Sequence, residues 1–473
     1  EGPNKYLQDV NHHLLAPRVG ITYDLLGQGR TVLSLGGGQF FQRERVSRYT
    51  LVSNAPFAIN TGNFARTVGG ATPSNLAGGT ASPAGGYDPR DILPNSWQWN
   101  LTLQQQLGTS SLFSISYVGN KGTHLTSTYD INQIAPQNWL AASFVSGDAQ
   151  TALRPFNTDN SLTWWTHDGN SSYEGLQTLI KSRFHNLQLL GAYTWSHSIS
   201  DIVLDDSGGG TGTQTRTYYP DPRLDRGNGN TNRPNNFVAN AIYFLPTLQG
   251  RDRLLQSTLG AWELSGITTA ANGNSFTVFQ GSATENVDLT HATGTPVPGG
   301  AGALNALAQT GFATPQRPMI NPAVGSCTQG RQGSQIINPN AFTLVGYQIG
   351  TLPSNMAPRG YCGGPNFYST DFSVDKNWRV HELVTVQFRL DFFNLLNHAN
   401  FNPSSGSFTP FASVNCGSEI GVDASNGNPL FNPCSPTNNL ITHQTSTNGF
   451  GNSNAVIGGN SSRQIQYTLH INF

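Results

Sequence analysis

Val384-Thr385-Val386-Gln387-Phe388-Arg389-Leu390-Asp391-Phe392 alternates without a break. Even positions carry Val, Val, Phe, Leu and Phe; odd positions carry Thr, Gln, Arg and Asp. A side-chain period of two puts these sets on opposite faces of a β-strand. One face is continuously apolar and the other charged, so the strand separates two different solvents. Phe372, Val374 and Trp378 lead into it through Arg379 to Glu382, which makes the pair a hairpin.

The same pattern recurs along the chain. Val19, Ile21, Tyr23 and Leu25 alternate with polar residues, and Gly27-Gln28-Gly29 turns them into Thr31 to Phe41. Trp97, Trp99, Leu101 and Leu103 return past Gly108-Thr109 as Phe113, Ile115 and Tyr117. Leu176, Ile180 and Phe184, opposed by Gln177, Lys181 and Arg183, return past His185-Asn186 as Leu187, Leu189, Tyr193 and Trp195. A fourth, weaker pair joins Phe237 to Leu245, across Pro246 to Gln256, with a segment grouping Trp262, Leu264 and Ile267 that continues past a Gly273 bend to Phe279. The chain closes on Ile465, Tyr467, Leu469, Ile471 and Phe473. About eleven strands result, and polar stretches separate the hairpins: Gln42 to Leu93, Asn120 to Ser172, Ser200 to Asn235, Gln280 to Asn366 and Leu395 to Gly459. Tight turns at one end and long loops at the other are the arrangement of outer-membrane barrels. The expected fold class is therefore all-β: an antiparallel transmembrane β-barrel, partial at eleven strands, with long extracellular loops.

Composition agrees. Of 473 residues only 11% are charged, while 10% are aromatic and the net charge is -1; soluble domains carry about 25% charged residues. Such a chain has neither the charge excess of disorder nor the basic surface that holds nucleic acid. No run of eighteen apolar residues is present, which excludes spanning helices but not spanning strands. The first residue is Glu1 and no signal region follows, so the chain reads as mature, trimmed or a fragment. Cys327, Cys362, Cys416 and Cys434 lack C-x-x-C spacing, which disfavours zinc and suits loop disulfides in an oxidising compartment. Sequence proximity pairs Cys327 with Cys362 and Cys416 with Cys434.

Six segments in order resemble the Oar-like group of TonB-dependent outer-membrane receptors: Trp97-Gln98-Trp99-Asn100-Leu101, Tyr117 to Leu125, Tyr193-Thr194-Trp195-Ser196-His197-Ser198, Leu259 to Ile267, Phe388 to His398, and Arg463-Gln464-Ile465-Gln466. The resemblance implies a barrel of roughly twenty-two strands, an N-terminal plug, a carboxypeptidase-regulatory-like domain and coupling to an energised TonB complex. Neither plug nor regulatory-like domain is matched, so residues 1–473 read as the C-terminal portion of the barrel domain. It further implies localisation in the bacterial outer membrane, lipid and the barrel-assembly machinery as partners, and uptake of an unidentified ligand. Tyr467, Leu469, Ile471 and Phe473 resemble the strand that this machinery reads.

Candidate site residues are few. Arg389, Asp391, Lys181 and Arg183 are lumen-facing charges, whose simplest role is a polar wall. Trp97, Trp99, Trp195, Trp262 and Trp378 fit aromatic girdles at the membrane interfaces. Trp164 and Trp165, placed in a long loop, are the candidate ligand-binding surface. Asp221 to Asn230 has oxygen ligands at close spacing but lacks the closing Glu of a calcium loop and contains Arg226. No catalytic, metal-ligating or cofactor-binding residues are nominated, and an enzyme is not expected. A surface adhesin or fibre-forming β-protein is the second reading.

Overall fold

The computed structural model describes residues 14–42, 85–88, 90, 92–142, 151–157, 162–202, 216–218, 220–280, 317–332, 335–348, 351–352, 354–381, 384–401, 407–408, 412–414, 419–422, 429–431, 440–444, 456 and 462–472. Eleven strands follow one another across one antiparallel sheet in chain order. They are β1 (Arg18–Asp24), β2 (Thr31–Phe41), β3 (Asn95–Leu107), β4 (Ser111–Asp130), β5 (Thr163–Phe184), β6 (Leu187–Ser200), β7 (Asn235–Phe244), β8 (Trp262–Ala271), β9 (Phe367–His381), β10 (Val384–Phe393) and β11 (Gln464–Asn472). Short strands Gly85–Tyr87 and Gly227–Asn228 add to β5 and β6. Among the described residues, β1 and β11 each pair on one side only.

Register shows why the alternation matters. Paired residues share a face, so Ile21, Leu35, Leu101, Tyr117, Leu176 and Trp195 form one apolar row across β1 to β6. Leu187, Tyr243, Leu264, Val374, Leu390 and Tyr467 form another across β6 to β11. Offset by one residue, the opposite face carries Thr22, Ser34, Thr102, Ser116, Gln177 and Thr194. Hydroxyls pair along it, Thr22 with Ser34 at 3.2 Å and Thr102 with Ser116 at 2.8 Å.

One facing left open by the sequence is settled here, and one expectation changes. Ile267 does not share a face with Leu264: it pairs with Asn240 and Asp371 on the polar face. Thr, Ala and Gly fill much of β8, so its composition gives little sign of facing. Trp164 and Trp165 do not stand in a loop. β4 runs on to Asp130 and β5 begins at Thr163, so both tryptophans are strand residues, paired with Tyr129 and Thr128. Trp164 packs over Gly86, where a Cβ would lie 2.6 Å from its ring.

The turns all lie at one end of the sheet. Gly27 and Gly29 take φ values of 67° and 65°, and the Asp24 carboxylate accepts the Gly29 N–H at 2.5 Å. Gly108 (φ 66°) closes β3–β4, and His185 (φ 49°) closes β5–β6. The β7–β8 connection differs, because it contains a helix, Arg253–Leu259. Its final carbonyls have no partners within the helix. Ser257 O accepts from the Trp378 indole at 2.7 Å, Thr258 O from the Trp262 indole at 2.8 Å, and Gly260 O from the Lys376 ammonium. Lys376 is the cation in the apolar row of β9. It is 2% exposed, and its Nζ lies 5.2 Å and 5.5 Å from the rings of Trp262 and Trp378.

Trp97, Trp99 and Trp195 stand near the long-connection end of the apolar face, Trp262 and Trp378 near the turn end. From Trp97 to Leu107, β3 runs about 33 Å along its axis. At the tilt of membrane barrels that is about 25 Å of height, the apolar band of such barrels. Trp99 lies flat against Gly119, where a Cβ would approach its ring to 2.2 Å. Among the described residues no helix is long and apolar enough to cross a membrane.

Burial is inverted relative to a water-soluble sheet. Large apolar side chains on the strands are exposed, Ile21 at 59% and Trp195 at 60%. Fully buried ones lie between the strands: Ile134, Ile337, Phe342, Leu344, Tyr347 and Cys362. Ile134, Trp139 and Ala142 form a small core with Leu153, Tyr218 and Leu352. Cys327 is bonded to Cys362 across a separation of 35 residues, as proximity predicts. Cys416 and Cys434 lie outside the described residues, as does Phe473.

Candidate ligand-binding vestibule

The polar face carries its charge in two places. Arg30, Lys181 and Arg183, with Gln104, Gln106 and Gln188, border a concavity of ≈ 610 Å³ near the turn end of β2 to β7. Across β8 to β10 the balance is acidic. Glu263 pairs in register with Asp375, and Asp375 with Arg389. Arg389 Nε donates to Asp391 at 2.9 Å, and Ser373 also donates to Asp391. Asp371 accepts the Asn394 N–H at 2.8 Å, and Asp375 accepts from Gln387 at 2.9 Å. The four charges expected on this face are on it, but they belong to separate patches: Lys181 and Arg183 in one, Arg389 and Asp391 in the other.

Beyond the long-connection end, ion pairs hold the loop segments together. Asp130 accepts the Leu162 N–H at 2.8 Å and the Arg154 guanidinium at 3.2 Å, with both charged side chains buried. Arg216 grips Asp168 through both terminal nitrogens, at 2.8 and 2.7 Å. A second fully buried acid is Asp225, at the end of the one-turn helix Pro222–Asp225. It accepts from Thr217 Oγ1 at 2.6 Å, Arg317 Nη1 at 3.0 Å and Arg359 Nε at 2.9 Å. Burial alone pushes its carboxyl up; Arg359 and Arg317 more than offset this and hold it below the usual carboxylate value. Burial pulls the Arg317 guanidinium down from its usual value, against the attraction of Asp225.

Two glycines allow the backbones beside this cluster to touch. A Cβ on Gly227 would sit 2.2 Å from Arg359 O, and one on Gly360 (φ 59°) 2.3 Å from Asn228 O. Asn228 N donates to Arg359 O at 3.1 Å, and Asn228 Nδ2 to Gly360 O at 3.0 Å. Between this joint and the polar face of β5 and β6 lies a cavity of ≈ 230 Å³. Ser171, Ser198, Ser200, Asn228, Asn230 and Arg359 line it. The Asp221 to Asn230 stretch is thus a turn-rich loop, and its acids face arginines: Asp221 accepts from Arg223 Nε at 3.0 Å.

Sequence reading did not anticipate Asp225, Arg317 and Arg359 as a unit. Asp225 and Arg359 are 134 residues apart, and no periodicity links them. The only local trace is glycine beside arginine at Arg226-Gly227 and Arg359-Gly360.

Among solved structures, the outer membrane transporter YddB from Escherichia coli aligns at 8% identity and a TM-score of 0.40, over 90% of this chain and 40% of its own. BauA, the ferric preacinetobactin receptor from Acinetobacter baumannii, aligns at 12% identity and a TM-score of 0.37, over 83% and 33%. The FrpB iron transporter from Neisseria meningitidis aligns at 9% identity and a TM-score of 0.34, over 97% and 39%. The chain therefore spans well under half the length of these structures. No curated protein matches it. The model of the outer membrane beta barrel domain matches residues 1–466, and with its two-solvent sheet the chain belongs to that family.

Proposed function

We propose that the chain is the C-terminal part of the barrel of an outer-membrane uptake receptor of the TonB-dependent type, in the Oar-like group. In this reading the apolar face meets lipid, the polar face lines a lumen, and the braced loops above it select a ligand. Half-buried Trp164 and Trp165 are the aromatic contacts offered to that ligand. In this reading the N-terminal plug couples the lumen to the energised TonB complex. Tyr467, Leu469 and Ile471, with Phe473 beyond the described residues, form the strand read by the assembly machinery.

The observation that carries the proposal is the polar face itself. A scaffold for adhesion needs no charges along an inner wall, whereas Glu263, Asp375 and Arg389 lie side by side in register there, with Asp391 two residues along the strand from Arg389. Charged strand positions of this kind stand in water-filled lumens. The test compares cells carrying and lacking the gene for accumulation of a panel of labelled nutrients, with and without an uncoupler of the inner-membrane proton gradient. Accumulation of one nutrient that disappears both on deletion and on uncoupling is expected. Unchanged accumulation of every nutrient, together with lost attachment to surfaces, would make the protein an adhesin instead.

A further inference from the structure

The Asp225 cluster does not balance. One carboxylate serves two guanidiniums, and among the described residues no second acid pairs with either. Arg317 spends four of its five N–H donors: Nε donates to Ala357 O, Nη1 to Thr217 and Asp225, and Nη2 to Leu224 O. Arg359 does not. Its Nε is committed to Asp225, its side chain is 8% exposed, and no other hydrogen bond from its guanidinium is found among the described residues. The same arginine lines the ≈ 230 Å³ cavity, whose other walls include the hydroxyls of Ser171, Ser198, Ser200 and Thr231, the amides of Asn228 and Asn230, and the Ile202 side chain.

Burying two guanidiniums against one carboxylate leaves an unfavourable excess of positive charge, and an arginine fork presents paired donors suited to a carboxylate, sulfate or phosphate. We infer that this cavity is an oxyanion seat: the excess positive charge of the Arg317–Asp225–Arg359 cluster, delivered through Arg359, takes a singly presented carboxylate, sulfate or phosphate group of a ligand entering along the polar face. The walls fit such a group. The hydroxyls of Ser171, Ser198 and Thr231 and the Asn230 amide can surround its remaining oxygens, and no carboxylate lines the cavity to repel it. The lining contains no aromatic ring, which disfavours a neutral sugar needing a stacking platform. Pinning is rigid: Ser198 N donates to Asn232 Oδ1 at 2.8 Å, and His197 Nε2 and Asn228 Oδ1 are 2.8 Å apart.

This inference deepens the uptake reading and rests on it for the route by which the ligand arrives. Its test does not use transport. Full-length protein in detergent, checked as folded by heat-modifiable gel migration, is titrated with sodium sulfate against sodium chloride at fixed ionic strength, and the melting temperature is followed. A saturable, single-site rise is expected. Arg359→Gln should weaken apparent affinity at least tenfold, while Arg359→Lys, keeping the charge but losing the fork, should weaken it by less than Arg359→Gln does. Asn230→Asp leaves the cluster intact and places an acid in the seat; it should abolish the sulfate response while the protein stays folded. An absent response in folded wild type, an equal response in Arg359→Gln and Asn230→Asp, or saturable binding of glucose in place of sulfate would each overturn the seat. Those outcomes leave uptake untouched, and failure of the uncoupler experiment leaves the sulfate titration standing.

Discussion

The wall and the loop assembly above it are held by opposite means. Along the wall, leucines and tyrosines point outward, and their stabilisation comes from the lipid around them together with the strand ladder, which satisfies the backbone inside a bilayer. The loop assembly has a small apolar core, a disulfide and buried ion pairs, as a water-soluble domain does. One chain therefore carries two kinds of foldedness. A change that is severe in one region should leave the other almost unaffected.

The largest effect is expected at Asp225. Asp225→Asn leaves Arg317 and Arg359 buried without their counter-charge, a loss of about 3 to 5 kcal/mol for a broken buried pair. Hydrogen exchange should show residues 216–232 and 317–361 opening while β1 to β11 stay protected; equal deprotection of the strands would erase the distinction. Acid should act in the same place more gently, since a protonated carboxyl still hydrogen-bonds. Because Arg359 and Arg317 hold this carboxyl below its unfolded value of about 3.9, its stabilisation is complete above that pH and is lost as pH falls through the lower folded value. Exchange in the loop assembly should therefore rise below about pH 4, ahead of the wall.

Removing the Cys327–Cys362 bond by double serine substitution should cost the loop assembly about 3 to 4 kcal/mol on the loop-entropy scale. Proteolysis of the region around 327–362 would report it, with the detergent-resistant strand core unchanged. Leu390→Arg tests the wall. Leu390 sits between Val374 and Tyr467 in the lipid-facing row, and a cation there should lower the stability of insertion by about 2 to 4 kcal/mol. Gln387→Arg, on the other face of the same strand, should change folding into lipid vesicles by less than about 1 kcal/mol. Equal effects at the two positions would reverse the assignment of faces.

The two regions also differed in how far they could be read in advance. Wall residues obey a period of two, and a sheet between lipid and water writes that period into composition; β10 could be placed from nine residues. The reading weakens where the two solvents stop differing. β4 and β5 continue past the membrane as Gly122 to Asp130 and Thr163 to Ser172, where both faces are polar, and Trp164 and Trp165 therefore looked like loop. The facing of Ile267 was not legible, because its strand has too few large residues to show a phase. The Asp225 cluster was invisible for another reason: its members come from segments 92 and 134 residues apart, and their pairing is set by the fold alone. Cys327 and Cys362 were legible only because the bonded partners are also the nearest cysteines in that loop.

Lys376 turns the β7–β8 helix into something that can be read chemically. Its amine is enclosed by two indoles and a carbonyl from the end of that helix, whereas Lys121 is half-buried and Lys181 exposed. An amine-selective acylating reagent should therefore spare Lys376 for as long as the helix Arg253–Leu259 stays seated against Trp262 and Trp378. The unlabelled lysine becomes a timekeeper for assembly: the moment at which position 376 stops accepting label marks when this end of the barrel has closed over its own charge.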